Sequence, residues 1–300
     1  MENNTKDKQQ LGHLDPSTQA ILFAAMSNRI AFLEERFWIG YPAAEAILER
    51  LNLIMSRPRV SRPEGLLILG DPYNGKTRLL EYFQSLHPPI ISGRRGTIQL
   101  PVICIDAPSG ARQAYFFDSL SDALHIPGSD RRPVSLVHGR IIQALRDAGT
   151  KIIIVDELHN LLSGGDIRKR FILEELKTFS NALKIALVGA GTGRALSVIK
   201  DDQQYLSRMP PVMLPPWKLN RTFLGLLKAL EARMPLREVS NLASDRNISE
   251  LIYTHSQNCI GHIVNLIFES TRLALNKGHE KLTEDLIRQG CSSSLPWMKV

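Results

Sequence analysis

Residues 66–77 read LLILGDPYNGKT, and this stretch decides the fold class of the chain. Four apolar residues run directly into the pattern GxxxxGK[ST], which spans Gly70 to Thr77 without a mismatch. The apolar spacing from Thr77 to Leu86 predicts a helix immediately afterwards. A buried strand, a glycine-containing turn and a helix in this order are typical of a loop whose backbone N–H groups surround phosphate. We therefore predict a phosphate-binding loop, or P-loop, at these positions.

Several residue types in this loop are suited to binding phosphate or Mg²⁺. Gly70 and Gly75 allow backbone angles at which successive N–H groups point inward at phosphate oxygens. Lys76 supplies a compact positive charge for the β- and γ-phosphates of ATP, and the hydroxyl of Thr77 is a suitable Mg²⁺ ligand. We expect the remaining residues of the loop, and the one after it, to border the nucleotide: Asp71, Pro72, Tyr73, Asn74 and Arg78.

A second apolar run, KIIIVDE at residues 151–157, ends in two carboxylates. Asp156 is expected to hold Mg²⁺ through its water shell, and Glu157 to polarise the attacking water as a general base. The pair alone would also suit the start of a helix, but its place after a P-loop favours hydrolysis. The adjacent Asp-Glu pair and the lack of an NKxD-type segment in the sequence favour an ATPase over a small GTPase. His159 either contacts the γ-phosphate or caps a helix.

Strand and helix patterns alternate through the first two thirds of the chain. Continuous apolar runs predict strands at 66–69, 102–105, 151–156, 185–188 and 212–214, with helical periodicity between them, so we expect a parallel α/β sheet. One helix is predicted from about Pro16 to Glu35, and only helices after residue 220. The expected division is an N-terminal extension (1–35), an α/β core (36–216), a helical lid (217–290) and a tail (291–300).

Composition excludes several classes of protein. With 43% hydrophobic and 22% charged residues, global disorder is excluded. The three cysteines form no CxxC pair, which disfavours a zinc ribbon or a disulfide framework. The polar N-terminus lacks a secretory signal and no long apolar run could span a membrane, so a cytoplasmic protein is expected. The net charge of +7 permits nucleic-acid binding without requiring it.

Four strings carry a resemblance to a known family. WIGYP at residues 38–42, the P-loop segment, IVDELHN at 154–160 and LVGAGT at 187–192 resemble the TniB/TnsC group. These proteins are bacterial ATP-dependent regulators of DNA transposition, and the resemblance covers roughly residues 35–290. It implies an AAA+ P-loop NTPase with a parallel sheet core, N-terminal helices and a small C-terminal helical lid.

The resemblance also implies roles for residues outside the two nucleotide motifs. Thr192 stands where AAA+ proteins keep sensor 1, and Arg208 stands where an arginine finger acts on a neighbouring subunit's nucleotide, with Arg194 as the second choice. His262 occupies a position at which the family has a sensor-2 arginine, so either His262 substitutes weakly for that arginine or nucleotide sensing by the lid is relaxed. Trp38, Ile39 and Tyr41 either border the adenine or anchor the N-terminal helices.

The partners that the resemblance implies are duplex DNA, further copies of the chain in a ring or helical filament, a transposase and a TniQ-like target-selection protein, with no membrane. We expect DNA binding without sequence preference, through loop arginines that contact phosphates. The candidates are Arg112, Arg131 and Arg132, with a further cluster at 168–170. Two other functions stay open: an IstB-like or helicase-loader ATPase, and a signalling NTPase that does not bind DNA.

Overall fold

A computed structural model describes residues 11–92, 97–108, 113–127, 134–200 and 202–294 of the chain. The chain forms two compact units, one comprising Ala43–Pro215 and the other combining Met1–Pro42 with Pro216–Val300. The second unit is therefore discontinuous in sequence. The expected division into an N-terminal extension, a core, a lid and a tail did not include this pairing of the two chain ends.

The strands of the α/β unit form one sheet and one small ribbon. In chain order they are β1 (Leu66–Leu69), β2 (Ile90–Ser92), β3 (Thr97–Gln99), β4 (Val102–Asp106), β5 (Ile152–Asp156), β6 (Ala186–Gly191) and β7 (Pro211–Met213). The sheet has the order β4-β5-β6-β1-β7 and every pairing within it is parallel. The predicted α/β class with a parallel sheet is confirmed.

The helices are, in chain order, α1 (Pro16–Ile21), α2 (Met26–Glu34), α3 (Pro42–Ser56), α4 (Lys76–Ser85), α5 (Gln113–Ala123), α6 (Val134–Asp147), α7 (Asp166–Leu183), α8 (Leu196–Ile199), α9 (Gln203–Arg208), α10 (Arg221–Ala232), α11 (Arg246–His255), α12 (Ile260–Asn276) and α13 (Glu284–Ser294). Short 3₁₀ segments lie at Leu158–Gly164 and Gly193–Ala195. No helix in the described ranges is both long and apolar enough to cross a membrane.

The sheet is buried because helices cover both of its faces. All side chains of β1, β5 and β6 are buried, which explains their continuous apolar sequences. Helices α5, α6 and α7 contribute Phe116, Ile141 and Phe179 to the same core. The carboxyl ends of these parallel strands consequently meet at one edge, where α/β proteins bind ligands.

The structure corrects one sequence prediction of local structure and adds one element that the sequence did not predict. The helix expected from Pro16 to Glu35 is two helices, because Ala25 has extended backbone angles (φ −56°, ψ 149°) that interrupt the helical hydrogen bonds. Apolar spacing does not report such a break in the backbone. The antiparallel ribbon of β2 and β3 was not predicted, since strands of three residues are too short for a periodicity to show.

The helical unit has its own core. Trp217, Phe223 and Leu266 are among its buried side chains, and residues of the N-terminal segment, including Ile39, pack against them. Arg29 of α2 is buried and pairs with Glu280 at 2.6 Å, while its guanidinium also donates to the carbonyl of Pro235. These contacts explain why the two chain ends form one unit.

Candidate functional site

The P-loop begins where β1 ends. The N–H of Gly70 donates to the carbonyl of Gly191 in β6 at 3.1 Å. A Cβ at Gly70 would lie 3.2 Å from the Cβ of Leu214, so a larger residue would push against the chain that follows β7. Gly75 has φ +84° and immediately precedes α4, a conformation that glycine adopts without strain.

Lys76 is held in the centre of the loop. Its side chain is 5% exposed, and its ammonium donates to the carbonyl oxygens of Gly70 and Asp71, each at 2.9 Å. A buried ammonium at this position favours an anion beside it. The loop therefore presents a positive charge at the N-terminus of α4, where the helix dipole also favours phosphate.

Asn74 ties the loop to the end of the sheet. It is 1% exposed, and its amide donates to the carbonyls of Leu214 (3.0 Å) and Pro215 (3.1 Å). The amide nitrogen is therefore engaged in anchoring the loop rather than directed at a ligand. Tyr73, the residue before it, has φ +58° and an exposed side chain.

The structure brings the two nucleotide motifs together. The hydroxyl of Thr77 donates to Oδ2 of Asp156 at 2.7 Å, across 79 residues of sequence. The other carboxylate oxygen of Asp156 accepts from the N–H of Glu157 at 2.7 Å, and Asp156 is 2% exposed. A hydroxyl and a buried carboxylate in contact are hard oxygen donors of the type that Mg²⁺ prefers. These two residues fit the predicted metal site.

Glu157 and Thr192 lie at the ends of neighbouring strands. Glu157 follows β5 and has φ +50°, an uncommon backbone conformation for a residue with a side chain. Its carboxylate is 3.1 Å from Nδ1 of His159. Thr192 follows β6, and its buried hydroxyl has no hydrogen-bonding partner among the described residues. The predicted base and the predicted sensor thus end adjacent strands on the P-loop edge of the sheet.

Arg208 lies at the edge of the sheet where strand β1 begins, opposite the edge that carries the P-loop. It ends α9, and its carbonyl accepts from the N–H of Gly65, the residue before β1. The P-loop follows the other end of that strand. At about 3.3 Å per residue, β1 separates the two ends by roughly 13 Å. The guanidinium donates to Oδ1 of Asn181 at 2.9 Å.

Comparison with known proteins identifies the family of this chain. The sequence matches the family described as bacterial TniB protein over residues 29–219. The chain belongs to the TniB family. A comparison with curated proteins found no match.

Solved structures place this TniB protein in the AAA+ fold. The ORC2 protein of Aeropyrum pernix is 18% identical, with a TM-score of 0.62 over 88% of this chain and 71% of that chain. The Cdc6p structure from Pyrobaculum aerophilum is 17% identical, with a TM-score of 0.59 over 87% and 69%. The RuvB branch migration motor of Thermotoga maritima is 14% identical, with a TM-score of 0.55 over 87% and 73%. Together with the two nucleotide motifs, the family and fold identify an AAA+ ATPase.

The other predicted nucleotide contacts belong to the helical unit of the TniB protein. Ile39 and Tyr41 pack against its core, the rings of Tyr41 and Trp217 are 4.8 Å apart, and burial raises the pKa of Tyr41 to about 12. These contacts explain the hydrophobic WIGYP segment as an anchor of the N-terminal helices. Adenine contact by Trp38, Ile39 or Tyr41 stays a prediction.

His262 lies in the first turn of α12. Its ring is buried, and Nδ1 is 3.2 Å from the carbonyl of Ser256. A carbonyl accepts only, so this contact requires a proton on Nδ1 and leaves the neutral ring with an acceptor at Nε2. Only the imidazolium would then offer a donor to phosphate, a weaker arrangement than the arginine of the family pattern. Its sensor-2 role stays a prediction.

The predicted DNA contacts Arg112, Arg131 and Arg132 lie outside the described residues, so their roles stay predictions. Of the further basic cluster, Lys169 is 3.8 Å from Asp166 at the start of α7. Arg194, the second choice for the arginine finger, is exposed in the 3₁₀ segment after Thr192.

Proposed function

We propose that this protein is an ATP-dependent regulator of DNA transposition that assembles on duplex DNA when ATP is bound. Membership in the TniB family supports the transposition role, and the site at the carboxyl edge of the sheet supports control by a nucleotide. In this proposal the ATP-bound assembly links a TniQ-like target-selection protein to the transposase, and hydrolysis drives disassembly. As a member of a bacterial family, it would act in the cytoplasm, where the DNA is.

The nucleotide chemistry follows from the residues around the P-loop. Lys76 transfers its hydrogen bonds from loop carbonyls to the β- and γ-phosphates, and the loop N–H groups bind the same anion. Thr77 and Asp156 would hold Mg²⁺, which supplies positive charge for the phosphates. Glu157 takes the proton of the attacking water as the general base, and the free hydroxyl of Thr192 orients that water.

The observation that carries the assembly proposal is the position of Arg208. It lies at the amino end of β1, whereas the nucleotide site of the same chain lies at the carboxyl end. An arginine finger at Arg208 must therefore act on the nucleotide of another copy. Contacts between two different edges of identical chains are heterologous, and such contacts build rings or open helical filaments.

Binding to DNA in this proposal is electrostatic. The chain carries a charge of +7, and the loop arginines Arg112, Arg131 and Arg132 are the proposed phosphate contacts. Phosphate contacts release counterions, so the affinity falls steeply as the salt concentration rises and depends little on sequence.

The test is to measure binding to random-sequence duplex at two salt concentrations with ATP, with a non-hydrolysable ATP analogue, with ADP, and with the Lys76→Ala variant. Oligomers on DNA are expected with ATP, should persist longest with the analogue, and should be absent with ADP and from Lys76→Ala. A monomer that ignores DNA at low salt would contradict the proposal and favour a signalling NTPase. Recruitment of a replicative helicase in place of a transposase would favour a helicase loader.

A further inference from the structure

The side chain of His159 fills the space between Glu157 and the end of β6. Its Nδ1 is 3.1 Å from Oε2 of Glu157. A Cβ at Gly191, the last residue of β6, would lie 3.2 Å from the same nitrogen and 2.8 Å from the Cβ of Ala195. The imidazole therefore occupies a place that exists because residue 191 has no side chain.

Two buried polar atoms in this corner have unfilled hydrogen-bonding capacity. Within the described ranges, neither Nδ1 of His159 nor Oγ1 of Thr192 has a hydrogen bond of acceptable geometry. Leaving such an atom unsatisfied is unfavourable, and native proteins satisfy nearly all of them. Nδ1 is already at hydrogen-bonding distance from Glu157, so a small rotation of either side chain aligns the pair.

As the proposed general base, Glu157 needs a neighbouring group that fixes the orientation of its carboxylate. A general base works only when its oxygen is within hydrogen-bonding reach of the proton that it takes, and small displacements of a catalytic group are costly. Its side chain is 40% exposed and extends from a backbone with φ +50°. An exposed carboxylate of this length turns freely unless a neighbour holds it.

We propose that His159 is a positioning residue for Glu157. Its Nδ1–H donates to Oε2 and fixes the orientation of the carboxylate that takes the proton from water, while Thr192 directly follows the neighbouring strand β6. This inference rests on ATP hydrolysis at the proposed site. The proton on Nδ1 stays there, so His159 acts through Glu157 and takes no part in the transfer.

The test is a series of substitutions at His159, assayed for ATP hydrolysis with Mg²⁺ and duplex DNA present. We expect His159→Ala to lower kcat by about tenfold, because the base loses its orientation, and to leave KM within about twofold. An asparagine amide places an N–H near the position of Nδ1, whereas a glutamine amide places one near Nε2. His159→Asn should therefore keep most of the rate, and His159→Gln should behave like His159→Ala.

A matched control exists in the same unit. Nε2 of His138 lies 3.1 Å from Oε2 of Glu175, a histidine–glutamate pair of equal separation that is part of no nucleotide motif. His138→Ala should leave kcat unchanged, and thermal unfolding of each variant reports any general loss of stability. In the Glu157→Gln background, His159→Ala should not slow single-turnover hydrolysis further, because the two residues act as one group.

Three outcomes would overturn the inference. The first is a loss of ATP affinity by His159→Ala as large as its loss of kcat, and the second is equal activity of the Asn and Gln variants. The third is an additive loss in the double variant. Each of these outcomes, found while the unaltered protein hydrolyses ATP, overturns the inference alone. If the unaltered protein does not hydrolyse ATP at all, the ATPase function itself fails, so the two failures are distinguishable.

Discussion

At the scale of single residues, the site contains one carboxylate that is fixed and one that is adjustable. Asp156 is buried and accepts from Thr77 and from the N–H of Glu157. Glu157 is partly exposed, and its Oε2 lies 3.1 Å from Nδ1 of His159. This difference matches the roles of a metal ligand, which must stay in place, and of a base, which must meet a water.

The first prediction concerns that division. Glu157→Gln should retain ATP and DNA binding while hydrolysis slows by about 10²-fold or more, because the amide cannot take a proton from water. Assemblies on DNA should then persist, as measured by their lifetime after free ATP is removed. Asp156→Asn is the comparison variant, since it should weaken Mg²⁺-dependent ATP binding itself. Loss of ATP binding by Glu157→Gln would show that the two carboxylates have been assigned in the wrong order.

At the scale of elements, the spacing of β1 and β6 positions the P-loop. The two strands pair from Leu66 with Val188 to Leu69 with Gly191, and the N–H of Gly70 continues the ladder. Just before β1, a Cβ at Gly65 would lie 1.8 Å from the carbonyl oxygen of Leu187. No L-residue with a side chain fits there unless the strands separate.

The second prediction follows from this contact. Gly65→Ala should destabilise the α/β unit by about 1–3 kcal/mol, as overpacking of a core does, and should lower ATP affinity because the P-loop moves with β1. Denaturant unfolding and nucleotide titration measure the two effects. Gly193→Ala is the control, since a Cβ at Gly193 meets nothing within 4 Å. Equal stability of the two variants would contradict the proposed role of strand spacing.

At the scale of the whole molecule, the P-loop and Arg208 lie at opposite edges of the sheet. The carboxyl edge carries Lys76, Thr77, Asp156 and Glu157, and the amino edge carries Arg208. A single chain therefore holds a nucleotide site at one edge and the proposed finger at the other. In the proposed assembly these edges would meet, and hydrolysis would then depend on the oligomer.

The third prediction uses this separation. Arg208→Ala and Lys76→Ala should each hydrolyse ATP poorly alone, and a mixture should regain part of the activity, because Lys76→Ala subunits supply Arg208 to intact P-loops on Arg208→Ala subunits. ATP turnover as a function of mixing ratio measures the rescue. Asn181→Ala, which removes only the partner of the Arg208 guanidinium, should retain activity. A mixture no more active than its components would exclude Arg208 as a finger in trans.

Local sequence patterns were sufficient to predict part of the fold and part of the candidate site. The P-loop, the Asp156–Glu157 pair and the parallel sheet follow from the sequence, because a phosphate loop and a buried strand impose their requirements on adjacent residues. The break at Ala25 and the β2–β3 ribbon were missed, since an apolar period contains no information on one residue's backbone angles.

Only the tertiary structure determined which residues distant in sequence come into contact. Sequence order does not reveal that the Asn74 amide donates to the carbonyls of Leu214 and Pro215, or that Gly191 makes room for His159 beside Glu157. Nor does it reveal that the two chain ends share one core, or that Arg208 lies across the sheet from the P-loop. The physical reason is that covalent order fixes only neighbours along the chain, whereas packing and strand pairing determine which distant side chains come into contact.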